Sequence, residues 1–322
     1  MAGAADHQNE RGRNARWPSD IPVSGWKDIG WRVFREIGED RILLIAAGVT
    51  FYLLLALFPA LAAFVSLYGL VSDPVTVADH IAFLGGLLPP TVIDVVRQQL
   101  QSLVTEQDRS LGIGFLIGLA VALWSANNGI KALFEAMNIA YDETEKRGFI
   151  HLNLLSLSLT LGALVLGIVL ILAVGIVPAI LAVLGLAPWA ELLISLARWP
   201  ALIIVSIFAI LLLYRFGPSR ERPKWRWLTW GAVFAAVVWL AASIAFSYYL
   251  QNFADYDATY GSLGAVIGLM MWTWISVIVL IVGAEIDAEI EHQTSHDSTT
   301  GSPEPMGRRG AVVADTLGDP TD

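Results

Sequence analysis

The sequence predicts an all-α membrane protein, a polytopic bundle of six transmembrane helices with amphipathic helices at its surfaces. Three observations support this prediction. Hydrophobic residues make up 56% of the 322 residues and charged residues only 15%, six apolar runs are long enough to cross a bilayer, and the positive charges cluster between alternate runs. So few charges leave too little polar surface to cover a soluble protein of this size.

Six runs can span a hydrocarbon core, which takes roughly 20 apolar residues in helical form. Within a membrane domain at 26–291, they lie at about 42–71, 111–134, 152–184, 195–214, 228–250 and 261–284. The flanking segments, 1–25 and 292–322, lack periodic apolar positions, so we expect disordered tails there. The chain has no cysteine, which excludes disulfides, thiolate metal sites and cysteine nucleophiles.

Lysine and arginine residues are distributed unequally among the segments that connect these runs. Seven precede the first run, three lie at the end of the second run or after it, five follow the fourth and two lie in the tail, whereas only Arg97, Arg109 and Arg198 lie elsewhere, the last at the start of the fourth run. Positive charges near helix ends are retained in the cytoplasm. We therefore expect both termini on the cytoplasmic side, which agrees with an even number of spans.

Two segments have the pattern of helices that lie on a membrane surface. The first carries an apolar stripe at three- and four-residue spacing, with charged residues on the other side. The stripe consists of Trp26, Ile29, Val33, Phe34 and Ile37, and the charged side of Lys27, Asp28, Arg32, Arg35, Glu36 and Glu39. The second, at 89–104, begins with two prolines, and we interpret it as a short packing helix rather than a gate.

Three blocks of sequence resemble the YihY/BrkB family, formerly labelled the ribonuclease BN family. They are AAGVTFYLLLALFP at 46–59, LWSANNGIKALFEAMNIAY at 123–141, and YGSLGAVIG from 260 running on to GAEIDAE at 283–289. The resemblance covers about 30–291. It implies a six-helix protein of the bacterial inner membrane, linked to serum resistance and envelope lipid export, and it leaves the mechanism open.

A polar stripe lies at the end of the second run. Asn127, Lys131, Glu135 and Asn138 are spaced by four, four and three residues and so share one helix face. A charge at the bilayer centre costs roughly 2.5 to 3.5 kcal/mol. Either the helix emerges from the membrane here, with Lys131 paired to Glu135, or the stripe lines a substrate path that opens inward.

Four carboxylates end the last run, at Glu285, Asp287, Glu289 and Glu291. Negative charges at a helix C-terminus oppose the macrodipole, so positive partners are expected. We predict that Glu285 pairs with Lys131 across the bundle. The basic loop at 215–226 is an alternative partner, and a solvated acidic end is a third interpretation.

Prolines and glycines mark further features of the spans. Pro59 predicts a kink near residue 55, and Pro178 a kink in the third run or its end. The pairs Gly114/Gly118 and Gly264/Gly268 match a small-residue spacing that permits close helix packing.

The loop after the fourth run alternates positive charges with tryptophans. We expect it to contact lipid headgroups at the interface rather than nucleic acid. The residues are Arg220, Arg222, Lys224, Trp225, Arg226 and Trp227. In the last external loop, Asp255 and Asp257 are typical of a segment depleted in positive charge.

The bundle, the polar stripe and the resemblance to the YihY/BrkB family together suggest a transporter or flippase-like protein for an amphiphilic envelope molecule. This chain does not itself use ATP to drive transport, because it lacks the G-x-x-x-x-G-K-[ST] motif that binds the phosphates of ATP. An envelope structural or assembly factor is the alternative. A membrane ribonuclease is disfavoured because the five histidines are scattered. We expect no enzyme activity, metal or cofactor, and membrane lipids but no nucleic acid as partners; a homo-oligomer is left open.

Overall fold

The computed structural model describes residues 11–69, 113–184, 188–252 and 264–321, and this described chain is helical. A short 3-10 helix, Pro18–Asp20, comes first. The α-helices are α1 Val23–Glu39, α2 Ile42–Gly69, α3 Ile113–Ala140, α4 Phe149–Leu184, α5 Pro188–Phe216, α6 Trp225–Asn252, α7 Gly264–His292 and α8 Val312–Asp315. The predicted fold class, an all-α polytopic bundle, is confirmed.

Four helices are long and apolar enough to cross a membrane over their described residues, at Leu116–Ala140, Phe149–Val169, Trp225–Leu250 and Val266–His292. A fifth counts if α1 and the first part of α2, which meet at an angle of 62°, form one bent span. In α5, the described apolar stretch is Ile203–Phe216, which is shorter than these spans. The six long helices agree with six spans, and that number stays a prediction.

Helix α7 lies at the centre of the bundle. It packs against α1, α2, α3, α6 and α8, while α4 packs on α3 and α2, and α5 packs on α6. The long helices therefore follow the order α4, α3, α2, α7, α6, α5. Among the described residues, α4 and α5, at the two ends of this order, are not a closely packed pair.

The best-packed core lies at one end of the bundle, which we call the polar end. It holds the C-termini of α3, α5 and α7, the loops 141–148 and 217–224, and both terminal segments. Ile42, Met137, Tyr214, Leu228 and Ile281 are buried there. Along the outside of the helices, large apolar side chains are exposed, as expected of a surface that contacts lipid; they include Leu116, Val121, Leu154, Val237 and Ile244.

Helices α6 and α7 approach most closely at Gly231 and Gly283. A Cβ atom added to Gly283 would lie 2.8 Å from both the Gly231 carbonyl oxygen and the Ala235 Cβ. The predicted packing glycines behave differently, since a Cβ at Gly118 or Gly268 would meet nothing within 4 Å. The predicted close packing is therefore not found at these two glycines, although Gly268 is buried, because the spacing of small residues does not reveal what lies opposite them.

The predicted amphipathic helix exists as α1, although its buried face is different. Asp28 and Arg32, predicted to be on the charged outer side, are buried. Trp31 and Phe34 are exposed, with ring centroids 6.0 Å apart. Two apolar patches thus flank a buried polar line on α1, and a single helical stripe in the sequence could not distinguish them.

The prolines lie within continuous helices. Helix α2 runs through Pro59 to Gly69, and α4 runs past residue 178 to Leu184, so Pro178 does not end that helix. Helix α5 also contains a proline, Pro200. Kinks at Pro59 and Pro178 stay predictions.

The 89–104 helix, Asp255 and Asp257 lie outside the described residues.

We expect Gly283→Ala to destabilise the protein, because the new methyl group overlaps the backbone of α6. Overpacking of this kind costs about 1 to 3 kcal/mol. Thermal unfolding in detergent micelles measures the effect, with Gly268→Ala as the matched control on the same helix. Equal melting temperatures for the two variants would contradict the close approach of α6 and α7.

Candidate functional site

Both terminal segments pack on the polar end, so the predicted disordered tails are corrected for the described residues 11–25 and 292–321. The Ser295 N–H donates to the Arg13 carbonyl at 2.8 Å, and the Thr294 hydroxyl donates to the Ala15 carbonyl at 2.7 Å. Gln293 and Thr294 are fully buried. Composition predicts disorder when apolar residues are few, but hydrogen bonds hold these segments, and a few of their apolar side chains, among them Ile21 and Val313, are buried in the core.

Glu291, at the end of α7, forms a buried ion pair with Arg220. Nη2 lies 2.6 Å from Oε2, and the two side chains are 1% and 0% exposed. The Ser298 hydroxyl donates to the same carboxylate at 2.6 Å. Burial alone would lower the pKa of Arg220, but the adjacent Glu291 carboxylate outweighs it and raises that pKa. The 215–226 loop thus supplies one partner for the acidic end of α7.

Arg32 neutralises Glu289, two residues before Glu291 on α7. Its Nε donates to Glu289 Oε2, Nη2 donates to Gln293 Oε1 at 2.7 Å, and Nη1 donates to the Asp319 carbonyl at 3.1 Å. A single guanidinium therefore joins α1, α7 and the C-terminal segment. The planar fork of arginine suits such multiple hydrogen bonding.

Glu285 does not pair with Lys131, contrary to the prediction. Lys131 Nζ lies 4.9 Å from the centroid of the Trp124 ring, whereas the Glu285 carboxyl lies close to that of Asp40 and its Oε1 has no hydrogen-bond partner among the described residues. Burial raises the pKa of the Asp40 carboxyl, although the contact with Glu285 acts in the opposite direction. Two carboxylates held close together repel each other, which favours a proton on one of them.

Asp287 completes the acidic end without a cation. Its Oδ1 accepts a 2.7 Å hydrogen bond from the backbone N–H of Gly231, at the close approach of α6 and α7. Each of the four carboxylates on α7 consequently has a different partner. The glycine that permits the close approach also brings this N–H to the carboxylate.

The predicted polar stripe on α3 is divided between environments. Asn127 and Asn138 are buried, Lys131 is half-buried and Glu135 is exposed. Helix α3 continues to Ala140, beyond the predicted end at 134, so the last two positions lie at the polar end. A shared helix face does not ensure a shared environment, because neighbouring helices cover only part of it.

Asn138 joins two loops at the polar end. Its Oδ1 accepts from the Ser219 N–H at 2.7 Å, and its Nδ2 donates to Glu145 Oε2 at 3.2 Å. Burial alone would raise the pKa of Glu145, but hydrogen bonds from Arg147 outweigh it and lower the pKa to about 2. These contacts give Asn138 a structural role.

Asn127 lies deeper in the bundle. Its Oδ1 accepts a 3.3 Å hydrogen bond from the Thr160 hydroxyl of α4, and its side chain is fully buried. Its Nδ2 has no hydrogen-bond partner among the described residues. A buried amide without a partner carries a desolvation penalty of roughly 1 to 3 kcal/mol, which makes this position the best polar candidate within the bundle.

Only part of the basic, tryptophan-rich loop is exposed at the protein surface. Trp227 is fully buried rather than interfacial, Lys224 Nζ donates to the Asp297 carbonyl at 2.9 Å, and Arg226 lies 4.3 Å from the Trp17 ring centroid. Trp225 is exposed. The terminal segments, expected to be disordered, cover half of the residues that were expected to contact lipid.

The described residues contain no group of three or more His, Asp or Glu side chains that could hold a metal ion. Their long apolar helices, exposed apolar sides and charged end define a polytopic α-helical membrane protein. No solved structure matches the chain.

The model of the family described as virulence factor BrkB matches residues 33–307, and the chain belongs to that family. The ribonuclease-like protein YfkH of Bacillus subtilis (strain 168) is 32% identical over 255 residues, which cover 76% of this chain and 88% of YfkH. The UPF0761 membrane protein NTHI0384 of Haemophilus influenzae (strain 86-028NP) is 22% identical over 268 residues, or 82% of this chain and 96% of the relative.

We expect Arg220→Met or Glu291→Met alone to destabilise the protein by about 3 to 5 kcal/mol, because each leaves a buried charge unpaired. The double variant removes both charges and should recover most of that loss. Thermal unfolding of the four proteins in micelles forms a double-mutant cycle. Additive losses in the double variant would contradict a coupled ion pair.

Proposed function

We propose that the chain is a transporter or flippase-like protein, not driven by ATP, for an amphiphilic molecule of the bacterial envelope. The observation that carries the proposal is an apolar cavity of about 310 Å³ between α2, α3, α4 and α7. Leu53, Ala126, Ala163 and Trp272 are among its lining residues. A space of this volume and character suits hydrocarbon chains.

A second cavity of about 300 Å³ lies beside the first, between α2 and α7. Leu54 lines both cavities, so one side chain stands between them. Met270 and Met271 line the second cavity, and methionine adapts to irregular apolar ligands. The two cavities together offer a path along α2 for an apolar tail.

The polar part of such a molecule needs hydrogen-bond partners inside the bundle. The Thr160 hydroxyl lines the first cavity and donates to Asn127, whose Nδ2 has no partner among the described residues. A polar headgroup or glycerol hydroxyl passing this point would satisfy the amide. Of the proposed path residues, Asn127 is therefore the one that the geometry favours, ahead of Lys131 and Glu285.

The polar end faces the cytoplasm in this proposal, and the membrane is the bacterial plasma membrane. The support is the charge distribution, since 17 of the 20 Lys and Arg residues lie in segments that meet at one side in a six-span arrangement. Both termini are then cytoplasmic.

An envelope assembly factor without transport is the second candidate. The ordered terminal segments favour it, because Thr294, Ser295 and Arg32 hold a rigid polar surface on which partners could assemble. One relative has a ribonuclease-like name, but among the described residues no group of three or more His, Asp or Glu side chains could hold the metal ion of a metal-dependent nuclease.

Transport can be tested in vesicles of phosphatidylethanolamine and phosphatidylglycerol that contain the purified chain. Fluorescent phosphatidylglycerol, reduced by dithionite from outside, reports transbilayer movement. We expect the protein to accelerate this movement, and we expect Ala163→Phe to slow it several-fold because the new ring fills the first cavity.

Ala120→Phe is the matched control, since Ala120 is exposed on α3 and lies outside both cavities. It should leave the rate unchanged. Equal movement with and without protein would favour the assembly factor, and equal rates for the two phenylalanine variants would remove the cavity from the path.

A further inference from the structure

A cavity of about 580 Å³ opens at the polar end, separate from the two apolar cavities. The first turns of α4 and the last turn of α5 form two of its sides, through His151, Leu155 and Arg215. The loop after α5 and the C-terminal segment complete it, with Thr300 and Gly310 contributed by the latter. The cavity therefore lies where α4 and α5, among the described residues, are not closely packed.

Positive charge dominates the lining. Five cationic side chains face one carboxylate, that of Glu221; the cations are Lys146, Arg147, Arg215, Arg220 and Arg222. Three of them have their own carboxylate partners. Lys146 Nζ lies 2.6 Å from Glu143, Arg147 Nη2 lies 2.6 Å from Glu145, and Arg220 Nη2 lies 2.6 Å from Glu291.

The remaining two, Arg215 and Arg222, have no carboxylate partner among the described residues. The Arg215 guanidinium lies 4.4 Å from the Trp225 ring centroid and donates to the Pro223 carbonyl. The Arg222 guanidinium lies 5.0 Å from the Phe216 ring centroid. Stacking on aromatic rings holds both planes in place while most of their N–H groups are left for another acceptor.

The start of α4 adds donors to the same cavity. The first helical hydrogen bond runs from the Leu152 N–H to the Gly148 carbonyl at 3.0 Å, so the N–H groups from Gly148 to His151 have no acceptor one turn back in the helix. Gly148 and His151 line the cavity. The N-terminus of a helix favours an anion through these donors and the macrodipole.

The surface beside the cavity is apolar. Phe149, Ile150 and Leu154, in the first turns of α4, are 72%, 74% and 61% exposed. An occupant with hydrocarbon chains can therefore place them against α4 while its anionic group lies between the arginines. A free ion would make no use of that surface.

We propose that this cavity binds the phosphate group of an anionic molecule, held by Arg215, Arg222 and the first N–H groups of α4, and that this molecule is a phospholipid. This site does not depend on the proposed transport, because a protein that binds lipid without moving it across the membrane would need the same site. The guanidinium fork matches phosphate oxygens in a bidentate geometry.

Isothermal titration calorimetry of the full chain in non-ionic micelles tests the site with three probes: inorganic phosphate, dihexanoyl phosphatidic acid and dihexanoyl phosphatidylcholine. We expect phosphatidic acid to bind most tightly and phosphatidylcholine, with the same chains but a shielded phosphate, most weakly. The Arg215→Gln/Arg222→Gln variant should lose phosphatidic acid affinity by roughly tenfold or more, as expected when hydrogen bonds to a charged group are removed.

Arg226→Gln is the matched control, because Arg226 follows the same loop but does not line the cavity, and its affinity should stay close to that of the parent. Arg222→Gln alone, on an exposed residue, guards against a folding defect in the double variant, and it should also weaken binding. Unchanged affinity in both Arg222 variants would overturn the site. Phosphate binding as tight as phosphatidic acid would keep the anion site and overturn the lipid occupant.

Discussion

The acidic end of α7 is the constraint on which the polar end of this protein depends. Four carboxylates follow one another over two turns, where the helix macrodipole is also negative. Each one needs a proton, a cation or an N–H group. The protein brings these from separate parts of the chain, namely Asp40, Gly231, Arg32 and Arg220. Satisfying the charges therefore gathers α1, α6, the loop after α5 and the terminal segments.

This arrangement also shapes the proposed sites. Arg220 is held by Glu291 in the loop that carries Arg222, and the C-terminal segment that supplies Ser298 to Glu291 continues to Thr300 in the basic cavity. The polar end is rigid where charges are paired. In contrast, the apolar cavities lie along α2, away from these pairs, where the bundle retains space. The basic cavity and the two apolar cavities thus lie in separate regions of the same fold.

The long apolar runs predicted the helices well, because backbone hydrogen bonding in lipid leaves few alternatives to a helix. Which charged residues pair with each other was harder to predict from the sequence. The sequence suggested an ion pair between Glu285 and Lys131. Whether the two side chains face each other depends on the rotation of α3 and α7 about their axes, which the sequence does not give. The order in the terminal segments could not be predicted, since it derives from hydrogen bonds and from a few buried apolar residues without periodic spacing. The Gly231 and Gly283 contact was likewise invisible, as its two residues lie on different helices without a shared motif.

Hydrogen–deuterium exchange of residues 11–22 and 293–321, in the full chain in detergent micelles, tests most directly whether the acidic end of α7 orders the polar end. The account predicts slow exchange in these segments. That protection should disappear in Glu289→Gln/Glu291→Gln and persist in the control Glu135→Gln, whose carboxylate is exposed on α3. Exchange at the rate of an unstructured peptide in the parent protein, or unchanged protection in the double variant, would contradict the account.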